Sequence, residues 1–125
     1  MKKTSTVLII EDDELLREIY TTKFEMEGFS VQAASDGQEG LQLATTSKPD
    51  VILLDMIMPR MTGLEFLRAY HLMAEHPTVH ALVISNKSSI AEINQARALG
   101  AREYLIKSQH TPDEIVSKVR FHLED

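Results

Sequence analysis

Glu11-Asp12-Asp13, Asp55 and Lys107 each stand at the tip of a short apolar run. Val7-Leu8-Ile9-Ile10 leads into the acidic triplet, Val51-Ile52-Leu53-Leu54 into Asp55, and Glu103-Tyr104-Leu105-Ile106 into Lys107. If these runs are neighbouring parallel strands, their carboxyl ends gather acids and amine at one sheet edge, where open α/β sheets bind ligands. Carboxylates packed that closely repel one another, and a bound cation or a proton relieves the repulsion. The pattern points to a divalent-metal site with one aspartate left to do chemistry.

Strand-like runs and helical patterns alternate five times around those groups. A first strand over Thr6–Ile10 is followed by a helix over residues 14–27, where Leu15, Leu16, Ile19, Tyr20 and Met26 recur at helical spacing and Gly28 marks the stop. Residues 29–34 read as the second strand and Gly37–Ser47 as the second helix, with Leu41 and Ala44 inward. Gly40 inside that helix should weaken it by about 1 kcal/mol relative to alanine. After a Lys48-Pro49-Asp50 turn comes the third strand, residues 51–54. Thr62 with Glu65 forms a capping box ahead of Leu64, Leu67 and Tyr70, and Ser89 with Glu92 repeats it after a fourth strand at residues 80–84. That helix runs toward Gly100. A fifth strand over Glu103–Ile106 precedes Thr111-Pro112-Asp113-Glu114, a helix start with cap, proline and acids in their favoured places. Fully apolar central strands fit a parallel sheet covered on both faces, and right-handed crossovers make it doubly wound. The expected fold is a (βα)5 three-layer α/β sandwich; strand order does not follow from these patterns.

At 125 residues the chain reads as one domain over 1–125, with hydrophobic and charged fractions of 43% and 26% that are ordinary for a globular protein. A net charge of −6 argues against binding nucleic acid through bulk electrostatics. The absence of cysteine excludes disulfides, thiolate metal sites and thiol catalysis. No apolar stretch approaches the roughly 20 residues that span a bilayer, and Lys2-Lys3 leads into a strand rather than a signal peptide. A cytoplasmic location without membrane contact is expected. Asp13 reads as a helix cap rather than a ligand. Met56, Met58 and Met61 read as loop packing, and His71, His76, His80, His110 and His122 as surface residues.

Glu11-Asp12-Asp13 after the first strand, Asp55-Met56-Ile57-Met58-Pro59-Arg60-Met61-Thr62-Gly63 after the third, Ser85 after the fourth and Tyr104 to Lys107 on the fifth together resemble a response-regulator receiver domain. The similarity runs from about residue 6 to residue 123. It implies a flavodoxin-like strand order of 2-1-3-4-5 and an aspartate phosphorylated by a histidine kinase or phosphotransfer protein. By that resemblance Asp55 is the phosphoacceptor and Asp12 a direct magnesium ligand. Glu11 binds through water, and the backbone carbonyl of Ile57 supplies a further ligand. Ser85 and Lys107 hold the phosphoryl oxygens, and Tyr104 is the switch aromatic. The readout surface is the fourth helix, fifth strand and fifth helix, facing an unknown downstream effector. A monomer or a weak phosphorylation-dependent dimer is implied, without direct nucleic-acid binding, and without enzymatic turnover beyond self-phosphorylation and self-dephosphorylation.

Two departures from the family pattern stand out. Ser108 follows Lys107 where the family commonly has proline; a cis bond before a non-proline residue costs about 2.5–4 kcal/mol, so a trans peptide is expected. Asn86 stands where the family more often has a small residue beside the phosphoryl group, with Lys87 next to it, and together with apolar Ile57 they should slow attack by water. The alternatives are a receiver excised from a larger regulator or kinase, and an aspartyl-nucleophile phosphohydrolase resembling the haloacid dehalogenase family. The latter lacks its second acid, since Ile57 stands two residues after Asp55. A flavodoxin-like cofactor carrier needs a phosphate cradle after the first strand, where this chain has acids. A phosphate-blind interaction module would have no use for the intact acid, serine and lysine set. Because the chain stops at Asp125, no output domain is expected within it.

Overall fold

Four strand pairings, all parallel, join five strands in the order β2-β1-β3-β4-β5. The computed structural model describes residues 4–124; Lys2, Lys3 and Asp125, on which the readings of the two termini rest, lie outside them. The strands are β1 (Thr6–Ile10), β2 (Ser30–Ala34), β3 (Val51–Asp55), β4 (His80–Ser85) and β5 (Glu103–Ile106). The principal helices are α1 (Glu14–Met26), α2 (Gly37–Ser47), α3 (Gly63–Tyr70), α4 (Ile90–Ala98) and α5 (Pro112–Leu123). Two short pieces escaped the sequence patterns: a single turn, Leu72–Glu75, after α3, and a 3₁₀ turn, Lys107–Gln109, after β5. The expected (βα)5 architecture and the order 2-1-3-4-5 both hold.

Side chains alternate across the sheet, so each strand feeds two cores. Leu8, Ile10, Ile52, Leu54, Ala81 and Val83 pack with Phe66, Leu67 and Tyr70 on the α2–α3–α4 side. Val7, Ile9, Val51, Leu53, Leu82 and Ile84 pack with Tyr20, Phe24, Ile115 and Val119 on the α1–α5 side. Covering both faces removes every β3 side chain from water, which is why that strand reads as a continuous apolar run.

Helix starts follow their caps. Asp13 accepts the Leu16 N–H at 3.0 Å, as expected, and reciprocal boxes form at Thr62/Glu65 and Thr111/Glu114. At Ser89 only half the box forms, because the Glu92 side chain meets the Ser89 hydroxyl at 3.2 Å instead of its backbone. α4 ends at Ala98, with Gly100 beyond it at φ 105°. α3 stops where His71 turns left-handed at φ 55°. Gly40 has a tertiary reason: a Cβ there would lie 2.5 Å from Ile10 Cδ1.

Two readings need correction. Of the apolar residues on α1, Tyr20 is buried, but Leu15, Ile19 and Met26 are 66%, 39% and 75% exposed; Phe24 completes the buried stripe. The helix carries more apolar surface than the sheet can cover. The histidines are not all free surface residues. His76 stacks on Tyr70 at 4.1 Å, and His122 Nε2 lies 2.9 Å from Glu103 Oε2. Met56 and Met58 are buried, in keeping with loop packing.

Candidate functional site

Strand register assembles the site. Ile10 pairs with Leu54, so Glu11 and Asp55 leave adjacent strands side by side; Ser85 pairs with Ile106, which places Lys107 one residue farther along the same edge. Tight backbone ties hold these ends. Glu11 N–H donates to Ala34 O at 3.1 Å, Met56 N–H to Ile84 O at 3.0 Å, and Gly63 N–H to Met56 O at 2.8 Å. Gly63 is needed for that return of the chain, since a Cβ would lie 2.9 Å from Asp55 O.

The acids converge. One carboxylate oxygen from each of Glu11, Asp12 and Asp55 lies within 4.8 Å of the others. Glu11 is fully buried and Asp55 is 4% exposed, whereas Asp12 is open to solvent. Lys107 Nζ lies 2.7 Å from Glu11 Oε1 and 3.4 Å from Asp55 Oδ2. Glu11 Oε2 accepts the Asp13 N–H at 3.0 Å. Asp55 Oδ1 faces the Ile57 N–H at 3.4 Å, a long contact that leaves this oxygen weakly engaged. A pocket of about 270 Å³ opens over the group, lined by Glu11, Asp12, Asp55, Ile57, Asn86 and Lys107, with Asp13 and Leu16 at its rim.

Charge in this pocket does not balance. Burial pushes the Asp55 carboxyl up to about 8, and neighbouring Glu11 adds to the rise while Lys107 opposes it. Burial works to lower the Lys107 ammonium, but Glu11 and Asp55 together carry it above its ordinary value. Asp55 is therefore driven toward its protonated form, by burial first and by Glu11 second. Three oxygen-bearing acids so arranged suit a hard cation, which takes carboxylate, carbonyl and water ligands. The donor set fits a divalent ion.

Ser85, Lys87 and Tyr104 are not among the residues that line this pocket. Ser85 is buried and its Oγ accepts the Lys87 N–H at 3.4 Å; the Tyr104 hydroxyl donates to Lys87 O at 3.3 Å. The Lys87 peptide is thus bracketed by both residues expected to switch. The Lys107–Ser108 peptide is trans, as expected, since no cis bond occurs among the described residues.

A sequence profile for the response regulator receiver domain matches residues 7–120. The chain belongs to that family. This receiver domain is 32% identical over 114 residues to "Response regulator MprA" of Mycolicibacterium vanbaalenii, a match covering 91% of this chain and 48% of that protein. It is 37% identical over 124 residues to a Myxococcus xanthus protein-glutamate methylesterase/protein-glutamine glutaminase, covering 98% of this chain and 35% of that one. The receiver thus spans about half, or less, of the length of these relatives. Among solved structures, the Vibrio cholerae chemotaxis protein CheY4 superposes with a TM-score of 0.87 at 27% identity, covering 95% of this chain and 98% of that one. A receiver domain protein from Methanospirillum hungatei, at 24% identity and TM-score 0.91, covering 98% and 95%, shares the fold. No helix among the described residues is long and apolar enough to cross a membrane.

One contact of the receiver was not foreseen. Arg17 Nη1 donates to the Glu11 carbonyl at 2.9 Å, tying the body of α1 to the acidic turn. Its position six residues after Glu11, one helical turn past the cap, was the available signal.

Proposed function

We propose that this receiver takes a phosphoryl group from a histidine kinase or phosphotransfer protein onto Asp55 in a magnesium-dependent reaction, and changes its binding partner as a result. The convergence of Glu11, Asp12 and Asp55 within 4.8 Å, with Lys107 beside them in one pocket, carries the reading. The ionised Asp55 carboxylate attacks phosphorus as the P–N bond of the donor phosphohistidine breaks. The bonding pair leaves on the imidazole nitrogen, which regains its proton from solvent. Such transfers ask for positioning and charge neutralisation more than covalent work. Asp12, Asp55, the Ile57 carbonyl and, through water, Glu11 would hold magnesium, which would supply positive charge between the carboxylate and the incoming group. Lys107 supplies a point charge and Ser85 a hydroxyl donor for the phosphoryl oxygens.

The donor must bring its histidine to a pocket at the N-terminus of α1, so it must cover what flanks that pocket. Leu15, Ile19 and Met26 line an exposed apolar groove along α1 that is completed by Pro112. Uncovered apolar area beside a reactive site suits a protein donor.

Downstream, Ser85 Oγ turns from the Lys87 N–H toward the phosphoryl group, loosening the loop that Tyr104 also holds. That converts a local charge event into a shift of a two-state element. α4 buries Ala96 alone among its residues and so is lightly held; Ile90 and Phe121 are exposed on the α4–β5–α5 face that reads the change out. The domain acts in the cytoplasm, as a single unit with no turnover of its own beyond gain and loss of the phosphoryl group. Ile57, two residues after Asp55, stands where the phosphohydrolase pattern places its second acid.

Incubation with magnesium and acetyl phosphate tests the reading: one label per chain on Asp55 supports it, and continuous turnover or no label defeats it. With Ile57 and Asn86 on the wall, the labelled protein should lose phosphate over minutes or longer. Loss within seconds contradicts the shielding assigned to them.

A further inference from the structure

Of the three acids that converge in the pocket, Asp12 is the one whose side chain stands in solvent. Burial among neighbours holds Glu11 and Asp55 in place. An exposed carboxylate keeps its direction chiefly through the backbone that carries it. On the C-terminal side of Asp12 that backbone is fixed by the start of α1. Asp13 N–H donates to Glu11 Oε2 at 3.0 Å, and Asp13 Oδ1 accepts the Leu16 N–H at 3.0 Å. On the N-terminal side β1 has already ended at Ile10, so the Glu11 carbonyl lies past the strand. Arg17, partly buried on the first turns of α1, reaches both sides. Its backbone N–H donates to Asp13 O at 2.9 Å, and its Nη1 donates to Glu11 O at 2.9 Å. The Glu11 carbonyl shares one planar peptide unit with the Asp12 N–H. The guanidinium therefore fixes the plane from which the Asp12 Cα hangs.

Electrostatics alone argues against a cation at this place. A guanidinium is always charged, and a divalent ion on Asp12 is repelled by it. What the guanidinium offers instead is a charge-assisted hydrogen bond of defined direction. We propose that Arg17 is a positioning residue of the divalent-cation site: by holding the Glu11 and Asp13 carbonyls it aims the Asp12 carboxylate, without touching the cation or the phosphoryl group. This rests on the receiver reading of the pocket and adds the device that orders its exposed ligand. Orientation outweighs repulsion, so the chain keeps a positive side chain beside a site for positive charge.

Magnesium titrations followed by backbone amide ¹⁵N–¹H shifts, at fixed pH and ionic strength, separate geometry from charge. Arg17→Met removes a positive charge, so an effect through the field tightens magnesium binding, whereas loss of positioning weakens it. Binding should weaken about fivefold, as expected for one lost hydrogen bond to a charged donor. In an Asp12→Asn background the same substitution should change binding by at most about 1.5-fold, because the carboxylate to be aimed is gone. Arg17→Gln, too short to reach the Glu11 carbonyl, carries the same expectations if the methionine variant does not fold. Tighter or unchanged binding on loss of Arg17 overturns the proposal. So does equal weakening with and without the Asp12 carboxylate, which would assign Arg17 to the stability of α1 instead. If magnesium fails to bind the wild-type protein, this inference and the receiver reading of the pocket fall together. If the wild type binds magnesium and is labelled on Asp55 while the Arg17 variant binds as tightly, this inference alone falls.

Discussion

Two clusters of charge flank α1, and they have opposite characters. At its N-terminus Glu11, Asp12 and Asp55 face Lys107 in a pocket where Glu11 and Asp55 are buried. Along its other end Lys23 bridges Glu27 at 3.3 Å and also pairs with Asp113, while Arg120 meets Glu27 at 3.0 Å. In that seam signs alternate and water reaches the groups. Asp113 holds the Lys23 ammonium above its usual range, and Lys23 with Arg120 holds the Glu27 carboxyl below its own. Lys23 and Glu27 are both favoured in their charged forms. In the pocket Asp55 is driven the other way, mainly by burial and then by Glu11. A balanced, solvated cluster ties helices together; an unbalanced, buried one retains a demand for positive charge that a divalent cation can meet.

The largest expected difference between the clusters comes from Asp55→Asn. It should abolish labelling by acetyl phosphate and magnesium altogether, read by intact mass, and a variant that still labels at full stoichiometry would move the phosphoacceptor elsewhere. Next in size is Ile19→Asp, in the groove between the two clusters. Transfer from a phosphorylated protein donor should slow by about tenfold or more, since buried apolar anchors dominate such interfaces, while acetyl phosphate labelling stays at the wild-type rate. Equal loss with both donors would assign Ile19 to the fold instead of to docking.

A pH series separates the clusters next. The native Asp55 pKa of about 8 lies above its ordinary 3.8, so between those values the folded state holds a proton that the unfolded chain has lost. Its contribution to stability is complete below the lower value and fades as pH rises through the upper one. Thermal melts of the cation-free protein should therefore show stability declining across that window, and Asp55→Asn should flatten the slope. Magnesium should raise the melting temperature more at about pH 9 than at about pH 6, because no proton then has to leave. A magnesium effect independent of pH would sink the assignment of the proton to Asp55. Lys23→Ala should do least, lowering stability slightly and in a salt-sensitive way. It should leave labelling untouched, so a loss of label would erase the contrast between seam and pocket.

Much of the site was legible because it depends on local pattern. Glu11, Asp55, Ser85 and Lys107 each follow a run of strand-forming residues, and strands in register deliver such tips to a common edge. Asp13 read correctly as a cap, since its job involves only the next three residues. The exposed half of α1 was not legible: Leu15 and Ile19 share a helical spacing with Leu16 and Tyr20, and periodicity does not reveal how wide a stripe the sheet covers. His122 and His76 read as surface residues because Glu103 and Tyr70, their partners, meet them only after folding.

Alternating apolar runs, caps and glycine stops determined by themselves that five strand–helix units would form and which polar residues would crown the strands, because backbone preference and side-chain period act over a few neighbouring positions. The partner chosen by Lys107, the proton retained by Asp55 and the uncovered face of α1 were decided by tertiary structure. Each depends on ångström distances and solvent exclusion between segments far apart along the chain, and Coulomb energies and desolvation respond to those distances, not to sequence spacing.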